Sequence, residues 1–417
     1  MKVIVLGAGV IGTATAWYSA LSGHEVTVVE RREGPGLETS FANGGQISAG
    51  HAEPWANPDT PRKILAWLGR EDAPLLFRPQ ADPSQWRWGL RFLYECASWR
   101  TRENIADIVK LALYSRASLQ RLRDETGIQY DQVLRGILHY YTDRRDFDTA
   151  VAHAGQMRAF GLEREVKSVD EAIAIEPALA RSRDRLVGAT YVASDESGDA
   201  HKFTCTLAGL AEARGVTFRY HHAILGLKRD GDRVAGVVVK HAAGEEETLK
   251  ADAYVVALGA YSPLLTRPIG LDLPVYPAKG YSASIEIADE RLAPEVSLTD
   301  EAAKLVFSRL GNRLRVAGTA ELAGYSTEVN PVRCAAIVRR AAEIFPGAGH
   351  YDRPQFWAGL RPATPSNVPL IGRTRFANLY LNTGHGTLGW TLACGSGRAL
   401  ADILSGRRPE VDFHFSP

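Results

Sequence analysis

"VIVLGAGVIG", Val3 to Gly12, decides the fold of this 417-residue chain. Four apolar residues run into a turn carrying Gly7, Gly9 and Gly12, and an uncharged stretch continues to Gly23. A buried strand, a tight turn and a helix account for that order. Gly7 permits the turn, Gly9 lets backbone amides approach a pyrophosphate at the helix N-terminus, and Gly12 lets helix and strand pack closely. The next predicted strand, "EVTVVE", ends on Glu30, 18 residues after Gly12, where a carboxylate accepts from a ribose 2′-OH. Glu30 disfavours a 2′-phosphate despite the neighbouring Arg31 and Arg32. Alone, GxGxxG is a weak signal. Strand, turn, helix and acid together predict dinucleotide binding, with Val3, Ile11 and Arg31 counted on the cofactor side.

The same segment, led by Lys2, also mimics a signal peptide or membrane anchor. Three glycines would weaken a spanning helix and suit a strand-to-helix turn, so the soluble reading is preferred. No other segment is apolar enough to span a bilayer. At 45% hydrophobic residues, the chain can bury a large core and is expected to form two domains. The net charge of +1 gives no electrostatic case for nucleic acid. Cys96, Cys205, Cys334 and Cys394 form no CxxC, which suits a reducing compartment. No two His or Cys stand at ligand spacing beside an acid, so no metal is expected.

Further along, strand and helix patterns return in separated blocks, which predicts an α/β architecture. A Rossmann-like cofactor domain is expected over 1–85, 187–270 and 350–417, with a tryptophan-rich insertion from about residue 55. An α+β substrate domain with a mostly antiparallel sheet is expected over 86–186 and 271–349. Two later segments favour FAD over NAD. "ADAYVVALGAYS" (251–262) is an apolar strand entering a small-residue turn at Gly259. "LNTGHGTLGWTLACGSG" (381–397) is a second glycine-rich strand-to-helix turn, holding Gly384, His385, Gly386, Thr387 and Gly389. Its helix N-terminus would face the flavin O2 edge and stabilise the anionic reduced ring.

"FWAGLRPATPSNVPLIG" (356–372) sets Arg361 among apolar residues with no acid nearby. An Arg is almost never fully buried unless paired, so this one needs an anion from elsewhere.

These segments, with "ETSFANGGQISAGHAEPWANP" and "PVYPAKGYS", carry a resemblance that runs end to end. The chain resembles the D-amino-acid dehydrogenase small-subunit family, within the broader family of D-amino-acid, glycine and sarcosine oxidases. The resemblance implies FAD, oxidation of a D-amino acid to an imine, hydrolysis to the 2-oxo acid and ammonia, and electrons passed to the quinone pool. It also implies that Ser40, Asn43, Gly45, Gln46 and Ile47 line the flavin loop, that Ile224 touches the adenine side, and that Arg361 grips the substrate carboxylate. A guanidinium fork suits that task. Tyr276 and Tyr281 either cap the substrate or pack in the core. His385 suits a hydrogen bond to backbone or flavin better than proton transfer.

Three positions depart from the family pattern: His51 where Tyr is common, Ala49 where Pro is common, and Asn367 where Asp or Gly is frequent. They put the substrate preference in doubt, and His51 is counted on the substrate side. No flavin-linking Cys lies in 359–372, so the FAD is expected to be non-covalent. The tryptophan-rich stretch favours a membrane-side acceptor and peripheral contact on the cytoplasmic face. Two alternatives stay open: a glycine- or sarcosine-type oxidase using O2, and a non-catalytic FAD-binding subunit.

Overall fold

The computed structural model describes residues 1–51, 53–67, 69–71, 73–158 and 162–415. Leu68 and Asp72 of the tryptophan-rich stretch, and residues 416–417 of the last cofactor-domain piece, lie outside the described residues. Strand Lys2–Leu6 is the centre of a six-stranded sheet, paired in parallel with Glu25–Val29 on one side and Ala253–Val256 on the other. Thr217–Arg219 and Leu379–Thr383 extend it in parallel, and Leu370–Arg373 closes one edge antiparallel. Its central strands are apolar because parallel strands are covered on both faces. Helix Val10–Leu21 packs between helices Ala200–Glu212 and Gly389–Leu404. A Cβ on Gly12 would stand 1.9 Å from the Gly7 carbonyl oxygen, so the third glycine is a packing requirement.

A nine-stranded, mostly antiparallel sheet forms the second layer system. Gln355–Ala363, Tyr276–Glu286, Arg313–Leu322 and Leu305–Leu310 follow one another antiparallel. Ser297–Asp300 and Ile137–Tyr141 meet in parallel, and Leu75–Phe77 joins Arg313–Leu322 in parallel. The α/β class and the mostly antiparallel second sheet match the expectation.

The sheets divide the chain differently from the sequence-based boundaries. Strands Gln355–Ala363, Gly188–Val192 and Leu75–Phe77 were expected with the cofactor domain and instead pair into the second sheet. Helix Ser98–Thr126, expected with the substrate domain, packs on Gly389–Leu404 in the first core. There Gly395 lets the two helices touch, since a Cβ would lie 2.7 Å from Ser115 Cα. Strand pairing and helix docking connect residues hundreds apart, so local pattern does not report them.

In the tryptophan-rich stretch, helix Pro83–Glu95 starts at Asp82, whose side chain accepts from Ser84 N–H. Its inner face carries Trp88 and Phe92 into a small core with Tyr276 and Leu322. Trp86, Leu90, Leu93 and Tyr94 stay exposed, the first three at the rim of the cavity between the two sheets. No helix among the described residues is long and apolar enough to cross a membrane.

Candidate active site

A cavity of about 980 Å³ runs between the two sheets. One end is built from backbone. Gly7, Gly9, Ile11, Glu30, Arg31, Ser40, Asn43 and Gly45 line it, facing Ile224, Gly259 and the turn His385–Gly389. The Glu30 carboxylate is fixed by two backbone donors, Ala8 N–H and Arg32 N–H, each at 2.9 Å. Its remaining lone pairs stay available at the cavity wall. Ser40 Oγ accepts from Val10 N–H at 3.0 Å and so ties the following loop to the first helix. The Arg31 guanidinium lies 4.3 Å from the Tyr261 ring centroid and pairs with Glu38 at 2.6 Å. Gln46 reaches the second sheet through Ser297 Oγ, Leu298 O and Thr299 Oγ1, at 3.1 to 3.2 Å.

The other end is built from side chains on paired strands. Arg361 Nη1 donates to Thr319 O at 2.7 Å and Nη2 to Gly318 O at 3.5 Å. Among the described residues no carboxylate forms an ion pair with it. Burial, reinforced by the nearby Arg333, pushes its pKa down to about 10. The guanidinium lies against Gly280, where a Cβ would come 2.3 Å from Cζ. The Thr319 carbonyl comes from a bulge and the Gly318 carbonyl from the pair beside it: Lys279 faces Glu321 and Tyr281 faces Gly318, so Thr319 and Ala320 together oppose Gly280. Thr319 holds φ +54° there, an uncommon conformation for a β-branched residue, costing on the order of 1–3 kcal/mol.

Several sequence-selected residues fall elsewhere. Val3 and Ile47 are buried in the first hydrophobic core, Gly12 sits behind the turn on Gly7, and Gly384 is packed on Thr364; none lines the cavity. Tyr276 also stands off the cavity, packed beside Trp88 near the end of its strand. Tyr281 borders it, but its ring joins the second core and its hydroxyl donates to Glu321. Residues alternate across a strand, so Gly280 meets Arg361 while Tyr281 turns to the opposite face. The Tyr281 hydroxyl is thus taken up by Glu321, while Tyr276 packs off the cavity with its hydroxyl unpartnered among the described residues.

His51 lines the cavity next to His139, with ring centroids 5.0 Å apart. His139 Nδ1 lies 3.0 Å from Glu301 Oε1, and Lys304 Nζ lies 2.5 Å from Glu301 Oε2. Burial opposes the Glu301 charge, yet His139 and Lys304 hold its pKa well below the carboxylate range. Burial pushes His51 down to about 4, against the pull of Glu301. Ligand-type atoms of His51, His139 and Glu301 lie within 4.8 Å of one another, a grouping that sequence spacing gave no sign of. Lys304 supplies the cation that this carboxylate pairs with. Of the departures, Asn367 takes φ +62° and accepts from Trp55 N–H, and Ala49 N–H donates to Asp195. Gly280, Thr319, Asp195 and the His139–Glu301 pair were not selected from sequence, because nothing local marks them.

Some of the buried polar atoms without partners belong to residues that line the cavity. Both ring nitrogens of His385, Asn382 Oδ1 and Thr319 Oγ1 have none among the described residues, and all three residues line the cavity. Burial pushes the His385 pKa down to about 3, which keeps the imidazole neutral. An unsatisfied buried polar group costs about 1–3 kcal/mol, so such residues on a cavity with two glycine turns fit a large polar ring system with a nucleotide tail. Gly7, Gly9 and Glu30 would hold the nucleotide and the His385–Gly389 turn the ring.

The fold and this cavity define a dinucleotide-binding oxidoreductase. The family model described as FAD dependent oxidoreductase matches residues 2–403, and the chain belongs to that family; it is an FAD enzyme. A relative named D-amino acid dehydrogenase, from Dechloromonas aromatica, is 61% identical over 415 residues, covering 100% of this chain and 99% of its own length. Another of that name, from Paramagnetospirillum magneticum, is 57% identical and covers 98% of this chain and 96% of its own. The crystal structure of glycine oxidase from Geobacillus kaustophilus superimposes with a TM-score of 0.75 at 23% identity, over 99% of this chain and 96% of that one. That last likeness is one of fold.

Proposed function

We propose that the protein oxidises D-amino acids, of the size of D-alanine, to 2-oxo acids and ammonia and passes the electrons to a quinone-type acceptor. The observation that carries the reading is Arg361: a cation lining the cavity whose own chain provides two carbonyls and no anion. A substrate carboxylate supplies that charge, held by the donors that the carbonyls leave free. The names of the full-length relatives support the choice of D-amino acid.

In this reading the six-stranded-sheet unit holds the cofactor and the nine-stranded-sheet unit the substrate. Bound non-covalently, FAD supplies a hydride acceptor and a carrier for two electrons. The chain's own part is positioning: Arg361 fixes the carboxylate, and thereby the direction of the Cα–H bond. The amine binds neutral, leaves as an imine, and water completes the conversion to the 2-oxo acid. No side chain is assigned as general base, since burial holds His51 and His385 neutral and Glu301 is spent on His139 and Lys304. Trp55 and Trp88 wall the cavity against water. The exposed Trp86, Leu90, Leu93 and Tyr94 recur at helical spacing on one face, which supports peripheral contact with a membrane on the cytoplasmic side, where a quinone is reached.

Anaerobic addition of D-alanine, L-alanine or glycine to the FAD-loaded protein tests this through the oxidised-flavin absorbance. Bleaching by D-alanine alone, reversed faster by a soluble quinone than by air, is expected. Bleaching by glycine with fast recovery in air would point to an oxidase. No bleaching by any of them would leave a flavin-binding subunit.

A further inference from the structure

We infer that Thr319 is a substrate-positioning residue whose Oγ1 donates a hydrogen bond to the carboxylate held by Arg361. The inference rests on the reading of Arg361 as the carboxylate anchor. Three observations carry it. Thr319 offers its backbone carbonyl to Arg361 Nη1 at 2.7 Å, which places the residue directly beside the guanidinium. Its hydroxyl is enclosed and has no partner among the described residues, and the residue itself lines the cavity. Its backbone stands at φ +54° in the strand bulge, a conformation that glycine or asparagine adopts more easily.

Backbone preference does not explain a threonine there. β-Branching disfavours that conformation, and the hydroxyl adds a desolvated group that the folded chain leaves unsatisfied. A ligand oxygen accepting from Oγ1 removes the second difficulty. Arg361 has turned its Nη1 and Nη2 partly toward the Thr319 and Gly318 carbonyls, so a neutral donor on the same bulge gives the carboxylate a second point of contact. Two points fix the carboxylate plane, which one shared guanidinium edge does not. The bulge and the residue beside it thus turn two carbonyls to the arginine and set Thr319 at the cavity wall.

The test compares FAD-loaded wild type, Thr319→Gly and Thr319→Ser by anaerobic flavin titration with propionate, a carboxylate lacking the amine, and with D-alanine. Thr319→Gly removes the hydroxyl and relieves the backbone. Weakening of both ligands by about tenfold or more is expected, with a thermal midpoint equal to or above that of wild type. Thr319→Ser is expected to restore most of the affinity. A merely structural threonine would not give weaker binding together with undiminished stability. Propionate binding to Thr319→Gly as tightly as to wild type would overturn the inference while leaving Arg361 as the anchor. Weakening of D-alanine alone would overturn it too, by assigning the hydroxyl to the amine. Wild type that binds neither ligand would overturn the inference together with the reading it rests on. Should Thr319→Gly fail to load flavin, Thr319→Ala set against Thr319→Ser makes the same comparison.

Discussion

The two ends of the cavity are built by opposite means. At the nucleotide end the working groups are backbone: glycines at a strand-to-helix turn, a capping hydroxyl from Ser40, and a carboxylate steadied by two N–H groups. At the end proposed for the substrate they are side chains, Arg361 and Thr319, beside a bulge between strands some forty residues apart. Backbone geometry recognises a constant ligand and depends on local sequence. Side chains on paired strands can be exchanged one at a time, which is where a substrate preference is set.

Substitutions should separate the two ends, and the largest effects belong to the glycine turn. Gly12→Ala drives a Cβ into the Gly7 carbonyl, so folded protein should be lost. At Gly9 the nearest atom to a new Cβ is Ser40 Oγ at 3.5 Å, so Gly9→Val should fold yet purify colourless. The flavin-to-protein ratio and far-UV circular dichroism of both variants check this; a fully yellow Gly9→Val would break the comparison. Arg361→Ala should leave flavin content intact and lower kcat/KM for D-alanine on the order of 100- to 1,000-fold. Its thermal midpoint should not fall, because the side chain removed is a desolvated cation without an internal anion. A destabilised variant with normal kinetics would show that the arginine is structural.

A smaller displacement tests the seat of that arginine. Gly280→Ala pushes the guanidinium aside, and a KM raised up to about 100-fold with unchanged flavin is expected from steady-state kinetics. The smallest effect is in pH dependence. His385 is held at about 3, below its ordinary 6.5, so between those values the unfolded chain binds a proton that the native state refuses. Stability should therefore fall as pH drops below 6.5, by about 2 kcal/mol for His385 near pH 5. His51, held at about 4, acts with the same sign. Thermal midpoints measured across this range should fall less steeply in His385→Asn than in wild type.

How much was legible follows the same division. The strand, turn and helix from Lys2 to Leu21 and the second turn at His385–Gly389 lie within short windows, and the structure places both on the cavity. Arg361 was legible as a cation missing its anion. For Tyr276 and Tyr281 the sequence left capping and core packing open; the structure packs Tyr276 off the cavity and gives the Tyr281 hydroxyl to Glu321. Gly280 and Thr319 carry no local mark at all.

By itself the sequence determined the two glycine turns and the class of chemistry, since hydrogen bonds and sterics within a few residues of the chain create such turns. Only the tertiary structure decided the domain seams, the His51–His139–Glu301 grouping and the bulge beside Arg361. These arise from pairing between strands distant in the chain, where register is set by the whole sheet and its packed core.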